Sequence, residues 1–186
     1  MRKTALLIGL IACIGLPALA GELSGVTFPD QLGFEGKTLV LNGLGLRKAY
    51  GIAKVYVAGL YLEKKSASAD EILATDALRR IELRFVRNVG RDDIVKAWTE
   101  GFEKNAGGSL PSLKDRLESL NRAMPELREG DLLAFSSIPE RGTVVEVNGK
   151  ASATIPGADF AKVLFSIWLG PNPPNTALRE GLLGHR

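Results

Sequence analysis

Reactive side chains are scarce in this chain. Its 186 residues include one cysteine, Cys13, and one histidine, His185. Cys13 sits in an N-terminal apolar segment with the features of an export leader. Once that segment is removed, disulfides, thiol catalysis and cysteine metal sites are excluded together. His185 is next to the C-terminus, a poor place for a Ser-His-acid triad, a histidine base in a cleft or a histidine-ligated metal. Aromatic residues make up only 6% of the chain, and acids and bases alternate without long runs, for a formal net charge of +3. That leaves no stacking platform and no basic stripe, so nucleic acid is not an expected partner. No Walker sequence or GxGxxG is present, and Gly43-Leu44-Gly45 is a lone GxG with little weight. No cofactor and no metal are expected. The carboxylates are scattered over polar helix faces, which argues against a paired acid/base site.

The first twenty residues read as a signal peptide. Met1-Arg2-Lys3 is a positive start, Thr4 to Leu16 is apolar, and Ala18-Leu19-Ala20 is a small-x-small cleavage site. Pro17 interrupts the apolar run short of the roughly 20 residues that a membrane span needs. Cleavage near Ala20 leaves residues 21–186 as one periplasmic or secreted domain with no transmembrane segment. Leu10-Ile11-Ala12-Cys13 resembles a lipobox, but Ile14 to Ala20 stays apolar where a lipoprotein turns polar, so lipidation at Cys13 is the disfavoured alternative. No linker or repeat divides residues 21–186, a length ample for one core.

Hydrophobic periodicity predicts an α+β fold. Val26 to Phe34 reads as a strand broken at Pro29-Asp30, and Lys37 to Leu46 and Ile52 to Glu63 as strands joined by a Gly-containing bend. In Leu78 to Arg87 the period is two: Ile81, Leu83 and Phe85 face one way, while Arg80, Glu82, Arg84 and Val86 are predicted to face mostly water. Helices come next at Asp92–Lys104, with Ile94, Val95, Trp98 and Phe102 on one face, and at Leu113–Met124. Trp98 and Phe102 are read as core. A meander of Leu132–Ser136, Thr143–Val147 and Ala151–Ile155 succeeds them, with Asn148-Gly149 as a type I′ turn. The chain ends in a helix over Asp159–Leu169 and another opened by Asn175 as N-cap. Strands, helices, strands, helices: one mainly antiparallel sheet covered by helices on one face.

Between Leu41 and Glu63 the charges are Arg47, Lys48, Lys54 and Glu63. Arg47 therefore enters an apolar neighbourhood and needs a partner, from the protein or from a ligand. Tyr56 shares a strand face with Lys54, Ala58 and Leu60, while Tyr61 shares the other with Val55, Val57 and Gly59. A carboxylate or enolate oxygen could satisfy both Arg47 and Tyr56. The plainer alternative pairs Arg47 with a surface acid and leaves Tyr56 as core.

The segments GLGLR (Gly43 to Arg47) and AKVYVAGLYLE (Ala53 to Glu63) resemble the chalcone isomerase superfamily, and more closely its secreted bacterial chalcone isomerase-like members. GVTFPD, RRIELRFVRNV, AWTEGF, GTVVEVNGK and DFAKVLFSIWLG extend the resemblance over nearly all of the chain after the leader. It implies an open-faced sandwich, an antiparallel sheet with helices layered on one face and a ligand cleft between them. It also implies that Arg47 matches the arginine that steadies phenolate and enolate character in the plant isomerases. The isomerase threonine on the next strand aligns with Tyr56. The isomerase tyrosine and asparagine fall near Val86 and Asp93, so both are replaced. Non-catalytic fatty-acid-binding relatives grip a carboxylate with an arginine and a tyrosine, and Arg47 with Tyr56 is similar to that arrangement. The leading expectation is a periplasmic domain that binds a small apolar or amphipathic anion, such as a fatty acid, through Arg47 and Tyr56. The alternatives are an intramolecular-lyase isomerase with Arg47 as electrophile, or a non-catalytic structural module.

Overall fold

Residues 20–185 are described by a computed structural model. The expected leader, with Cys13 and the lipidation alternative, lies outside the described residues except for Ala20. Two short strands, β1 (Ala20–Leu23) and β2 (Val26–Pro29), form a hairpin of their own. Then come β3 (Gln31–Phe34), β4 (Lys37–Ala49) and β5 (Ala53–Leu62), a short helix α1 (Ala69–Ala74), and β6 (Arg79–Phe85). Two helices intervene, α2 (Arg91–Asn105) and α3 (Leu110–Ala123). The meander is formed by β7 (Leu132–Ile138), β8 (Gly142–Val147) and β9 (Lys150–Ile155), and α4 (Ala158–Leu169) and α5 (Thr176–Leu182) close the chain. Strands β3 to β9 make one seven-stranded sheet in sequence order, each antiparallel to its neighbour.

Alternation gives this sheet two faces, and the helices occupy one. Tyr56, Ala58 and Leu60 of β5 and Ile81, Leu83 and Phe85 of β6 meet Trp98 and Phe102 of α2, Leu113 and Leu120 of α3, and Phe165 and Trp168 of α4 in the main core. Helix α4 is apolar nearly all round, as a helix enclosed by neighbours must be. Gly101 of α2 lets α4 come close, since a Cβ there would stand 2.9 Å from Ile167. Asn148 (φ 50°) and Gly149 (φ 76°) form the expected left-handed turn between β8 and β9.

The opposite face corrects the sequence reading. Arg80 and Glu82 do not face water; they are 6% and 8% exposed. The β1–β2 hairpin and β3 fold over them, building a second cluster of Phe28, Leu39, Leu41, Val57, Tyr61 and Leu78. Arg80 Nε donates to Glu82 Oε1 at 2.8 Å and its Nη1 to Ser136 Oγ at 2.8 Å, with a further bond to Glu146. The Phe34 ring caps the guanidinium at 4.9 Å. Burial opposes the Arg80 cation, but its bonds to Glu146 and Glu82 outweigh that and hold it charged. Val26 to Phe34 is likewise not one interrupted strand, because β2 and β3 belong to different sheets.

Two irregularities in the β4–β5 ladder decide which side chains reach the helix-covered face. Leu41 pairs with Tyr61 and Gly43 with Leu60, so Asn42 is an extra residue in β4. Its amide donates to Ser66 O at 3.0 Å and Leu182 O at 2.8 Å, and its Oδ1 accepts from Ser66 N at 2.9 Å. Arg47 pairs with Tyr56 but Lys48 pairs with Lys54, which makes Val55 the extra residue in β5. Val55 consequently turns to the helix-side core rather than to the face of Tyr61 where alternation places it.

Candidate functional site

Three of the expectations converge on one cleft between the sheet and the helices. Past the bulge at Asn42, positions 43, 45 and 47 of β4 share the helix-covered face, and Leu44 and Leu46 pack on the other. Gly43 and Gly45 have no side chains to fill that face, so α5 lies directly on the strand. A Cβ on Gly43 would come within 2.2 Å of Gly181 O, and one on Gly45 within 2.4 Å of Leu178 O. Arg47 is the first residue of the run whose side chain has room, and it opens into the cleft.

The cleft has a volume of about 870 Å³, within the range of small-molecule sites. Arg47, Val55, Tyr56 and Phe85 line it from the sheet, Ile94, Trp98 and Gly101 from α2, and Ile167 from α4. The lining is apolar in its depths and charged towards the rim, where Lys48, Arg87, Lys96 and Lys104 outnumber Asp93 and Glu100. Glu100 is further engaged by Lys104 at 3.5 Å and Lys96 at 4.0 Å. The balance at the rim is positive.

Arg47 and Tyr56 are directly opposite each other across the β4–β5 ladder. Arg47 donates to the carbonyl of Lys48, and no carboxylate pairs with it among the described residues. The surface-acid alternative therefore finds no partner acid. Tyr56 is 5% exposed, and its hydroxyl oxygen accepts from Trp168 Nε1 at 3.0 Å. Burial pushes the Tyr56 phenol up to about 12, only partly offset by the Trp168 bond and the charge of Arg47. Tyr56 is thus a neutral hydroxyl with its proton still to give. Its oxygen is held by a tryptophan, and Arg47, whose charge it feels, lines the same cleft from the neighbouring strand.

Other features of the site were not foreseen. Trp168 orients Tyr56 from 112 positions away in the chain. Trp98 packs in the core as expected, with its ring 5.5 Å from Trp168 and 5.6 Å from Phe135. It also lines the cleft, and its enclosed Nε1–H has no acceptor among the described residues. Asn175 is the N-cap residue of α5 as expected, but its side chain makes no capping bond to the helix. Its amide donates to Leu46 O at 3.3 Å and its Oδ1 accepts from Lys48 N at 3.4 Å, bracketing Arg47. Of the two replaced isomerase positions, Asp93 lines the cleft, whereas Val86 packs with the cluster on the far face of the sheet.

The family model for chalcone isomerase-like proteins matches residues 20–184. The chain belongs to that family. Among solved structures it is similar to a fatty-acid binding protein of Arabidopsis thaliana, with a TM-score of 0.74 and 18% identity over 89% of this chain and 96% of that one. At that identity the likeness is one of fold, and the α+β chalcone isomerase-like architecture is common to both. A comparison with curated proteins finds no match. No helix among the described residues is long and apolar enough to cross a membrane. No group of three or more metal-ligating side chains occurs among them either.

Proposed function

We propose that this chalcone isomerase-like protein is an exported binding protein of the secreted bacterial type. Its ligand is a small amphipathic anion of the fatty-acid kind, held in the cleft with its carboxylate on Arg47 and Tyr56. The observation that carries this reading is the cross-strand pair itself: a cation with no carboxylate partner among the described residues, beside a buried neutral phenol. A carboxylate would accept charge-assisted bonds from both, and its chain would lie along Val55, Phe85, Ile94 and Trp98. The similar fold of a fatty-acid binding protein supports the same ligand class.

Titration with oleate, read by displacement of cis-parinaric acid, tests it. Losing a charge-assisted bond costs about 1.5–3 kcal/mol, so Arg47→Ala should weaken binding roughly ten- to a hundredfold, and Tyr56→Phe by somewhat less. Equal affinities for wild type and Arg47→Ala would refute the assignment. The pH profile is a second arm. An ordinary phenol loses its proton near pH 10, but Tyr56, raised to about 12, keeps its own. Affinity should hold through pH 10 instead of falling there, because the donor survives until the phenol titrates.

The second reading is an isomerase, favoured by the same Arg47 facing a cleft with Asp93 on its wall. In that case, chalcone absorbance is lost on mixing with the protein and the loss is abolished in Arg47→Ala. The expected result is no loss above the uncatalysed rate, since neither Val86 nor Asp93 supplies the tyrosine or asparagine of the plant enzymes.

A further inference from the structure

The connection between β4 and β5 stands out from the rest of the surface. Tyr50 is 97% exposed and Ile52 is 84% exposed, and they are the large apolar side chains left in water among the described residues. They sit two positions apart on one hairpin tip. Tyr50 and Gly51 also edge the cleft that contains Arg47 and Tyr56.

The turn itself does not call for a tyrosine. Ile52 N donates to Ala49 O at 3.2 Å, and the two central residues are left-handed, Tyr50 at φ 51° and Gly51 at φ 76°. The β8–β9 turn has nearly the same pair of angles, at 50° and 76°, and fills them with Asn148 and Gly149. Asparagine is at ease in that conformation, whereas a bulky side chain is a costly exception. The β1–β2 and β3–β4 turns share these angles too, with Ser24 (φ 53°) and Glu35 (φ 49°) before their glycines, so the chain places an aromatic where its other turns of this kind place polar residues. The side chain, not the turn, accounts for Tyr50.

The charges around the tip point to its partner. Lys48 and Lys54 are directly opposite each other in the ladder, and both are exposed. Like charges across a strand pair repel. No acidic residue occurs between Glu35 and Glu63 to relieve them, and neither lysine forms an ion pair among the described residues. A tyrosine and an isoleucine at the apex with lysines one step behind match the layering of a bilayer interface: apolar depth first, anionic headgroups next.

We propose that the Tyr50–Ile52 tip docks onto an anionic phospholipid surface, bringing the mouth of the cleft to the bilayer so that an amphipathic ligand passes between them. The transfer step rests on the fatty-acid reading of the cleft, while the docking itself does not. Two apolar side chains and a few lysines give weak, reversible attachment, as a protein that collects or delivers a lipid requires. Salt weakens it by screening the lysines and leaves the apolar contribution.

Sedimentation with vesicles of phosphatidylglycerol and phosphatidylethanolamine, against phosphatidylcholine alone, reads docking. Transfer of a pyrene-labelled fatty acid from those vesicles reads delivery, and its solution affinity reads the cleft. Wild type should bind the anionic vesicles and shed from them as salt rises. Ile52→Thr with Lys54→Gln, both outside the cleft lining, should lower vesicle binding and transfer about tenfold with solution affinity intact. Tyr50→Asn, which suits the turn, should lower vesicle binding further. Docking is overturned if wild type ignores anionic vesicles, if the double variant sediments like wild type, or if the tip instead mediates concentration-dependent self-association that the variant abolishes. Absence of fatty-acid binding in solution would defeat the cleft reading alone, because sedimentation still reports on the tip.

Discussion

Arg80→Met is expected to cost about 3–5 kcal/mol of stability, the usual penalty for removing one member of a buried ionic cluster. The native cluster is closed on all sides: Glu82 and Glu146 on the guanidinium, Ser136 on one of its nitrogens, and the Phe34 ring above it. Removing the cation strands two carboxylates under the β1–β2 hairpin and β3, where the side chain of Glu82 is 10% exposed and that of Glu146 is 17% exposed. Thermal unfolding at neutral pH should show a loss of roughly 6 °C or more for a domain of this size. Converting Glu82 and Glu146 to Gln and Leu in the same background should restore much of the stability, since an apolar or neutral replacement of a whole buried cluster is often close to neutral. A single variant within about 1 kcal/mol of wild type would show that water reaches this face.

That cluster also marks where sequence reasoning stops. The period of two in Arg79–Phe85 correctly separates Ile81, Leu83 and Phe85 from Arg80 and Glu82. Alternation says which residues share a face and nothing about what covers it, and the cover here comes from strands far earlier in the chain. Val55 fails for another reason: one extra residue in a ladder reverses the side-chain direction, and no local pattern announces the bulge. Helix α1, with six residues, is too short to show a period. At the site, Arg47 was legible because a cation carried into an apolar run demands a partner, and Tyr56 because it shares a strand face with Ala58 and Leu60. Trp168, Trp98 and Asn175 were not, since their contacts join elements far apart in the chain. The Gly43-Leu44-Gly45 segment was visible as a motif, but its purpose emerges only from α5.

That purpose makes a second prediction. Gly43→Ala puts a methyl carbon where backbone oxygens stand at 2.2 Å (Gly181) and 2.7 Å (Leu182), far inside van der Waals contact. Neither oxygen is the end of a flexible side chain, so α5 has to move as a body. Its contacts are tight in both directions, since a Cβ on Gly181 would stand 2.2 Å from Leu44 O, and Asn42 bonds Leu182 O at 2.8 Å. Overpacking of a core costs about 1–3 kcal/mol where side chains can yield; with backbone on both sides the upper end or beyond is expected, about 3 kcal/mol in denaturant unfolding. The displacement should also reach the cleft. Asn175, at the start of α5, holds Leu46 O and Lys48 N on either side of Arg47, so shifting α5 loosens the segment that aims the guanidinium. Oleate affinity should therefore fall in the folded fraction of Gly43→Ala although residue 43 touches no ligand, and amide exchange at Leu46 to Lys48 should quicken with it. If Gly43→Ala is destabilised but binds oleate like wild type, Arg47 is positioned by the sheet alone and α5 serves only the core.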